Sequence, residues 1–424
     1  EQQNDFIDAI RAESSKLPSE IGATVEELRK LLFKMPLLQT LSNLALIAYV
    51  HDPETYKEHK QVNQSIMVEY PTWLYVSSQE TPVISGELDP LRWQAFLALL
   101  ERSIDLAMKK YLYDGLIAER DDPTPFNMIR YRTRNYNLLV RNPAYPQHLR
   151  AQLAALFDTF DKELTQLTGF HFQQMVTVFD TVERLVNERL NELVKIIRNS
   201  VGNKTMKEAA NLLANRAATA FHLAAKDVAS ECCLEEDTVK SILDQFSTSL
   251  GQEPIANSWP SVYEPIQRTP LLRLSDGMYL CHLAPILTLA VKPNLESVLQ
   301  QDSEIWNRYE NSRAKYLETR GVTMIASTSK HARKWTRLKY EFDDGEGPKQ
   351  YELDGLVLVD NVAFLVEAKA GSMSDAARRG SESAIDELKE LVGKAQEQAN
   401  RALRYVKSKD EVRFSTSVGE LLIR

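Results

Sequence analysis

Apolar residues recur at three- and four-residue spacing through most of the first 250 residues, which is the period of amphipathic helices. The clearest stripe lies in Pro90 to Tyr113 and consists of Trp93, Phe96, Leu97, Leu100, Ile104 and Met108. A longer stripe, in Phe172 to Arg198, covers enough turns for a helix–helix seam or a dimer interface. The pattern predicts a mostly α-helical domain over residues 1–250 for recognition or oligomerisation.

Prolines interrupt this pattern between Gly251 and Pro270, where four of them stand among Asn and Ser and work against helix. Two short apolar runs follow on either side of Asp276-Gly277, a dipeptide typical of hairpin turns. Leu283 to Leu299 then returns to the helical period. We expect residues 251–300 to form a proline-rich linker, a β-hairpin and a bridging helix.

Residues 301–424 combine helical and strand-like periods. Trp306 to Arg320 predicts a helix that ends at Gly321, and Val322 to Ala326 predicts a short first strand. Trp335 to Phe342 alternates in polarity and predicts the next strand. A helix, several strands and a closing helix predict an α/β sandwich, so the chain is expected to be multidomain.

The stretch Tyr351 to Gly371 carries the most specific pattern. Its two apolar runs, LVLV and VAFLV, are separated by Asp360-Asn361, which favours an antiparallel hairpin of buried strands. Three charged residues nevertheless occur in it: Asp354, Glu367 and Lys369. Side chains alternate along a strand, so Glu367 and Lys369 share one face, and folding the hairpin brings Asp354 beside Glu367.

Two converging carboxylates repel each other unless a cation lies between them. Hard oxygen ligands of this kind suit Mg²⁺ or Mn²⁺, which keep several waters and take only one or two carboxylates. A lysine two residues after a ligand reaches the same site and can hold a metal-bound water or stabilise developing negative charge. These groups together suit phosphodiester hydrolysis.

This pattern, Asp354-Gly355 followed by Glu367-Ala368-Lys369, resembles the core of the PD-(D/E)xK nuclease superfamily. The resemblance covers about residues 303–405 and implies a restriction-endonuclease-like α/β fold. The proline that names the motif is absent, because Leu353 precedes Asp354. By resemblance, Asp354, Glu367 and the carbonyl group of Ala368 would bind the metal, and Lys369 would act on the water.

The resemblance also implies two residues on flanking helices. Members often carry a glutamate on the helix before these strands, which Glu310 matches, and a glutamine on the helix after the lysine, which Gln398 matches with Gln396 as a rival. Each has an ordinary alternative. Glu310 can be a solvated helix charge paired with Arg313 at i+3, and Gln398 can be a plain polar helix position.

The densest basic run is Lys330 to Lys339, with an aromatic residue inside it. Basic side chains interleaved with an aromatic suit a phosphate backbone and a stacked base, and a solvated loop is the competing interpretation. The candidate nucleic-acid-binding residues are Lys330, Arg333, Lys334, Trp335 and Arg337.

Composition narrows the class of protein. A net charge of −8 argues against a protein that coats nucleic acid non-specifically, because such proteins are usually basic. It leaves a nuclease open. The three cysteines have neither zinc-site nor disulfide spacing, which favours a reducing cytoplasm. The longest apolar runs fall short of the ~18 residues that span a bilayer, so no membrane association is expected.

We therefore expect a cytoplasmic, Mg²⁺- or Mn²⁺-dependent nuclease that cuts DNA, with RNA not excluded as substrate. By analogy with large helical attachments on this core, it would act in prokaryotic phage defence or in a mobile element. The helical domain would bind a partner protein or a second copy of the chain. The main alternative is a catalytically inactive nuclease-like scaffold, and a third is a nucleic-acid-binding regulator.

Overall fold

The computed structural model describes residues 2–50, 64–123, 130–134, 146–201, 206–251, 259–260, 264–274, 278–345 and 347–423. The chain forms two compact units. One consists of Glu1–Val298 with Arg378–Gly380, and the other of Leu299–Ala377 with Ser381–Arg424. The predicted hairpin and bridging helix of residues 251–300 thus belong to the first unit as far as Val298. The chain is mostly helical, with both α and β elements.

The first unit is built largely from helices, as its apolar periodicity predicts. They are α1 (Gln2–Ser14), α2 (Leu17–Leu32), α3 (Leu37–Val50), α4 (Gln64–Val76), α5 (Pro90–Asp121), α6 (Pro146–Phe157), α7 (Asp161–Thr168), α8 (Phe172–Val201), α9 (Met206–Phe221), α10 (Ala225–Cys232), α11 (Glu236–Gln245), α12 (Glu264–Arg268) and α13 (Leu287–Leu299).

Helix α5 shows how local sequence signals and packing agree. The Asp89 side chain caps its start by accepting hydrogen bonds from the amides of Leu91 and Arg92, and Pro90 occupies the first turn. The predicted stripe is buried at Phe96, Leu100 and Ile104. Pro90 to Tyr113 was predicted as one helix, and the helix extends beyond it to Asp121.

A small sheet also lies in the first unit. Its strands are β1 (His222–Leu223), β2 (Ser247–Ser249), β3 (Leu271–Arg273) and β4 (Tyr279–Leu280), in the order β1-β4-β3-β2. Strands β3 and β4 are antiparallel, which confirms the predicted hairpin; its turn, residues 275–277, lies outside the described part. Strands β1 and β2 are too short to leave a period-two pattern in the sequence.

The proline-rich linker lies partly outside the described part, since residues 252–258 and 261–263 are not described. Within the described remainder, the expectation that prolines prevent helix throughout is wrong. Helix α12 contains Pro265 as its second residue. Proline is tolerated in the first turn of a helix, where its missing N–H would have no partner anyway.

The second unit contains one sheet with helices on both faces. Its helices are α14 (Ser303–Ala326), α15 (Asp375–Arg378), α16 (Ser383–Leu388) and α17 (Lys394–Lys407), with a π-helical turn over Lys389–Gly393. Its strands are β5 (Arg333–Asp343), β6 (Pro348–Val359), β7 (Val362–Val366), β8 (Val412–Thr416) and β9 (Gly419–Ile423). The sheet order is β7-β6-β5-β8-β9, and every pairing is antiparallel.

Two sequence-based expectations for this unit are wrong. Gly321 does not end the first helix, and Val322 to Ala326 is not a strand but the end of α14. Val322 is fully buried there against Val357 and Val366, with Ile325 packed beside it. Packing of this apolar helical face on the sheet outweighs the strand preference of β-branched residues.

The other face of the sheet packs on α17. Leu338, Tyr340 and Leu353 form one buried cluster with Ala402 and Tyr405 of that helix. From Leu356 to Val359, side chains of β6 alternate between the two faces, so that Leu356 joins this cluster and Val357 joins the α14 face. The two helices therefore hold β6 from opposite sides.

Among the described residues, no single helix is long and apolar enough to cross a membrane. Two neighbouring helical stretches, Asp5–Leu32 and Leu37–Ala48, meet that length and composition only as a pair bent by 117°.

Candidate active site

The β6–β7 hairpin brings together the two acids that the sequence pattern singles out. Its register ends with Gly355 opposite Val366, and continuing it by one residue sets Asp354 opposite Glu367. The turn is at Asp360-Asn361, where Asp360 adopts a left-handed φ of 51°. The predicted hairpin is confirmed.

Asp354 is tied to the chain that follows β7. Its Oδ2 accepts a hydrogen bond from the backbone N–H of Ala368 at 2.8 Å. This bond holds the Asp354 carboxylate against the Glu367-Ala368 peptide group after regular strand pairing has ended. Asp354, Glu367 and Ala368 therefore lie together, as predicted from the pattern.

Glu367 is the most perturbed acid of the group. Both carboxylate oxygens are shielded from solvent and have no hydrogen-bond partner. Burial, and after it the neighbouring Asp354 carboxylate, raises the pKa of Glu367 to about 8. A buried carboxyl group with unused oxygens requires an explanation, and a bound cation is one that its chemistry fits.

Lys369 is exposed beyond the end of β7. Its ammonium group lowers the pKa of Glu367, although by less than burial and Asp354 raise it. The ammonium therefore acts on the same carboxylate while remaining open to solvent. This position suits contact with a water or a phosphate oxygen.

The two candidate glutamines on α17 differ in their surroundings. Gln398 is half-buried, and its Oε1 is shielded from solvent without a hydrogen-bond partner, whereas Gln396 is exposed. Helix α17 packs on β6 and β7, the strands that carry Asp354 and precede Glu367. Gln398 is thus the member of the pair that faces inward.

The structure shows Glu310 in the ordinary role that the sequence left open, as a solvated charge on a helix. It is exposed on α14, and its carboxylate lies 3.8 Å from the Arg313 guanidinium at i+3. The structure brings Glu318, rather than Glu310, beside the acids of the hairpin.

Glu318 is a site residue that sequence reasoning missed. Its side chain is 19% exposed and pairs with Arg337, whose Nε lies 3.5 Å from Oε2. Burial raises the pKa of Glu318, and the Asp354 carboxylate contributes to the increase. The signal was its position four residues before the buried Val322, on the same helical face, which is apparent only if the helix continues past Gly321.

The helix can approach the hairpin closely because residue 355 is glycine. A Cβ at this position would overlap Cγ2 of Val322. Gly355 follows Asp354 directly, so the close approach of α14 occurs beside the proposed site. It is this contact that brings the Glu318 turn near Asp354.

The basic run extends along β5 from the level of the β6–β7 turn to the proposed site. Lys330, Arg333 and Lys334 are exposed, and Trp335 is half-buried with the Arg333 guanidinium 5.8 Å from its ring centre. Lys334 donates a hydrogen bond to Thr323 at 3.0 Å. Arg337 is exposed on β5 but turned toward Glu318.

No group of three or more His, Cys, Asp or Glu side chains arranged to hold a metal ion occurs in the described parts of the chain. Asp354 and Glu367 instead form a pair of carboxylates, which is the number that Mg²⁺ usually takes from a protein. The donor set therefore fits a hydrated hard cation better than a fully protein-ligated one.

Comparisons with known proteins do not add a family. No protein-family model matches the sequence, and no match is found among curated proteins or solved structures.

Proposed function

We propose that the second unit is a PD-(D/E)xK-type nuclease domain that hydrolyses phosphodiester bonds with the help of Mg²⁺ or Mn²⁺. The observation that carries this proposal is the pair Asp354 and Glu367. The two acids meet across the hairpin, and both oxygens of Glu367 are shielded without any donor.

The order of elements supports the same proposal. A helix precedes an antiparallel three-strand meander, α14 followed by β5, β6 and β7, and a helix that packs on the meander follows it. This is the arrangement that the resemblance to the nuclease superfamily implies. Asp354 lies in the middle of β6, and Glu367 and Lys369 follow the end of β7 beside it; the two flanking helices pack on these strands.

Each residue has a role that its surroundings permit. Asp354, Glu367 and the Ala368 carbonyl group would hold the cation, which when bound would acidify a water and neutralise charge on the phosphate. Lys369, exposed beside Glu367, would orient the attacking water and stabilise negative charge on the phosphate oxygens. The Gln398 amide, which is also shielded, would hold the lysine or the water in place.

DNA is the proposed substrate, and RNA is the competing one. The exposed Lys330, Arg333 and Lys334 beside Trp335 would contact the backbone and a base. The first unit would recognise a partner or a second copy of the chain, in a cytoplasmic defence or mobile-element setting.

The test is cleavage of plasmid DNA, linear DNA and RNA with Mg²⁺ or Mn²⁺ by the full chain and by Lys369→Ala. The matched control is Lys409→Ala, an exposed lysine after α17. Divalent-dependent cutting that is lost in Lys369→Ala and kept in Lys409→Ala supports the proposal. Cutting that survives Lys369→Ala assigns the activity elsewhere, and the absence of cutting of any substrate favours the inactive scaffold.

A further inference from the structure

Arg337 has an unusual backbone. Three non-glycine residues in the described ranges have a positive φ, and Arg337, at 55°, is the one that lies inside a strand. A side chain with a Cβ adopts this conformation at an energetic cost, and such strained residues concentrate at functional sites. The strain requires a reason in the surroundings of the residue.

The position of Arg337 in the sheet supplies one. Thr336 pairs with Gly355, and Leu338 pairs with Leu353. Arg337 of β5 therefore lies opposite Asp354 of β6, with regular pairing on both sides of it. Within β5, the left-handed backbone is found at the position opposite Asp354.

The Arg337 side chain is held but not covered. Its Nε contacts Glu318, which is 19% exposed, while the Arg337 side chain itself is 54% exposed. Arginine has five N–H donors in a planar fork, and an Nε contact leaves donors for an oxyanion. The mostly shielded carboxylate thus fixes one side of a guanidinium that is open to solvent.

The charges at the site give a reason for an arginine at this position. In the metal-loaded site, where Glu367 is ionised, the carboxylates of Glu318, Asp354 and Glu367 outnumber the basic groups of Arg337 and Lys369 by one. A divalent cation would turn that deficit into an excess of one positive charge. Without Arg337 the loaded site would be neutral and would attract a phosphodiester less strongly.

We propose that Arg337 contacts the phosphate being cut, and that Glu318 is a positioning residue that holds the guanidinium toward it. The proposal rests on the proposed nuclease function and adds to it a phosphate-binding residue from β5. Arginine suits the role because its planar fork matches two phosphate oxygens at once. A purely structural surface ion pair is the competing explanation.

The experiment compares Arg337→Asn, Arg337→Gly and Arg413→Asn in the full chain. Asparagine and glycine tolerate a positive φ, so both Arg337 variants remove the guanidinium without adding strain. Arg413→Asn removes an exposed arginine from β8 of the same sheet, which has no part in the proposed site. The readouts are kcat and KM for Mg²⁺-dependent DNA cleavage, the thermal midpoint, and rescue by free guanidinium ion.

We expect kcat to fall about 100-fold in both Arg337 variants, as for loss of one donor to a reacting oxyanion, with thermal midpoints at or above that of the wild type. Free guanidinium should restore part of the activity of Arg337→Gly. Arg413→Asn should stay within about threefold of the wild type.

A double variant tests the role of Glu318. If Glu318 acts through Arg337, Glu318→Gln lowers kcat in the wild-type background but causes no further loss in Arg337→Asn. A wild type that cuts DNA, together with Arg337 variants that cut as well as Arg413→Asn, overturns this inference alone. A wild type that cuts no nucleic acid overturns the proposed function and this inference with it.

Discussion

Glu367 shows most clearly how the surroundings of one side chain can indicate a metal site. Its carboxyl oxygens are shielded from water without a hydrogen-bond partner, and the Asp354 carboxylate is close enough to raise its pKa. Such a group destabilises the folded protein when ionised unless a cation compensates it. The acid is therefore costly for folding and useful for binding a metal, a combination typical of functional sites.

This cost predicts a pH-dependent effect of Glu367→Gln in metal-free protein. The pKa of Glu367 rises from an ordinary value near 4.5 to about 8 on folding, mainly through burial. The stability that the protonated group permits is complete below about pH 4.5 and is lost as the pH rises toward 8. Glutamine resembles the protonated acid, so the variant should exceed the wild type in stability at pH 8 and match it at pH 5.

Urea unfolding midpoints measured in EDTA at both pH values check this prediction. Glu310→Gln is the control, because Glu310 is exposed and should show no such divergence. A difference between Glu367→Gln and the wild type that is the same at pH 5 and pH 8 would contradict the assigned burial of the charge.

At the residue scale, the sequence allows the hairpin acids to be predicted but not the helix acid. The dipeptide Asp360-Asn361 and two apolar runs determine the register, and the register determines that Asp354 meets Glu367. Glu318 depends on where α14 ends, and that is decided by packing of Val322 on the sheet. Local propensity at Gly321 pointed to an earlier end and hence to Glu310.

At the element scale, the contact between α14 and β6 organises the site. The two elements meet where Val322 covers Gly355, next to Asp354. A glycine in a strand often marks such a close approach. Because neither residue is informative alone, this contact was not visible in the sequence, even though both elements were predicted.

Two glycine substitutions test this contact. Gly355→Ala should lower the free energy of unfolding by about 1–3 kcal/mol, because the new methyl group overlaps Val322 and the helix must move. Gly321→Ala should raise it by about 0.5–1 kcal/mol, because Gly321 lies inside α14 and a Cβ there meets Val366 at an ordinary 3.9 Å.

Chemical denaturation of the full chain, followed by circular dichroism, gives both values. Equal effects of the two alanines, or a stabilising Gly355→Ala, would mean that α14 does not approach β6 as closely as described.

At the scale of the whole molecule, periodicity predicts a helical N-terminal part and an α/β C-terminal part, and both are observed. The small sheet of the first unit was only half expected. Strands β3 and β4 flank a turn dipeptide, whereas β1 and β2 are two and three residues long and exist through pairing with distant partners. Pairing between distant segments leaves little trace in a short local pattern.

The first unit also contains a pH-sensitive buried group. His282 is 2% exposed, with Nε2 lying 2.8 Å from Thr72 Oγ1 and Nδ1 lying 3.3 Å from the Leu280 carbonyl oxygen. Burial lowers the pKa of His282 to about 4 from its ordinary 6.5. The folded state therefore binds this proton less readily than the unfolded state, and stability falls as the pH drops below 6.5.

We expect this group to remove on the order of 3 kcal/mol of stability between pH 7 and pH 4, from a shift of roughly two and a half pKa units at about 1.4 kcal/mol each. Unfolding of wild type and His282→Gln, followed by helical circular dichroism across this range, separates it from the carboxylates. The variant should lose less stability on acidification. Parallel pH profiles for the two proteins would show that His282 is not buried in neutral form.

Divalent-ion binding shows whether Asp354 and Glu367 hold a cation. Calorimetric titration of Mn²⁺ into the full chain should show binding that is lost in Glu367→Gln and retained in Glu310→Gln, since only the first acid has shielded, unused oxygens. Absence of binding to the wild type, or undiminished binding to Glu367→Gln, would contradict the claim.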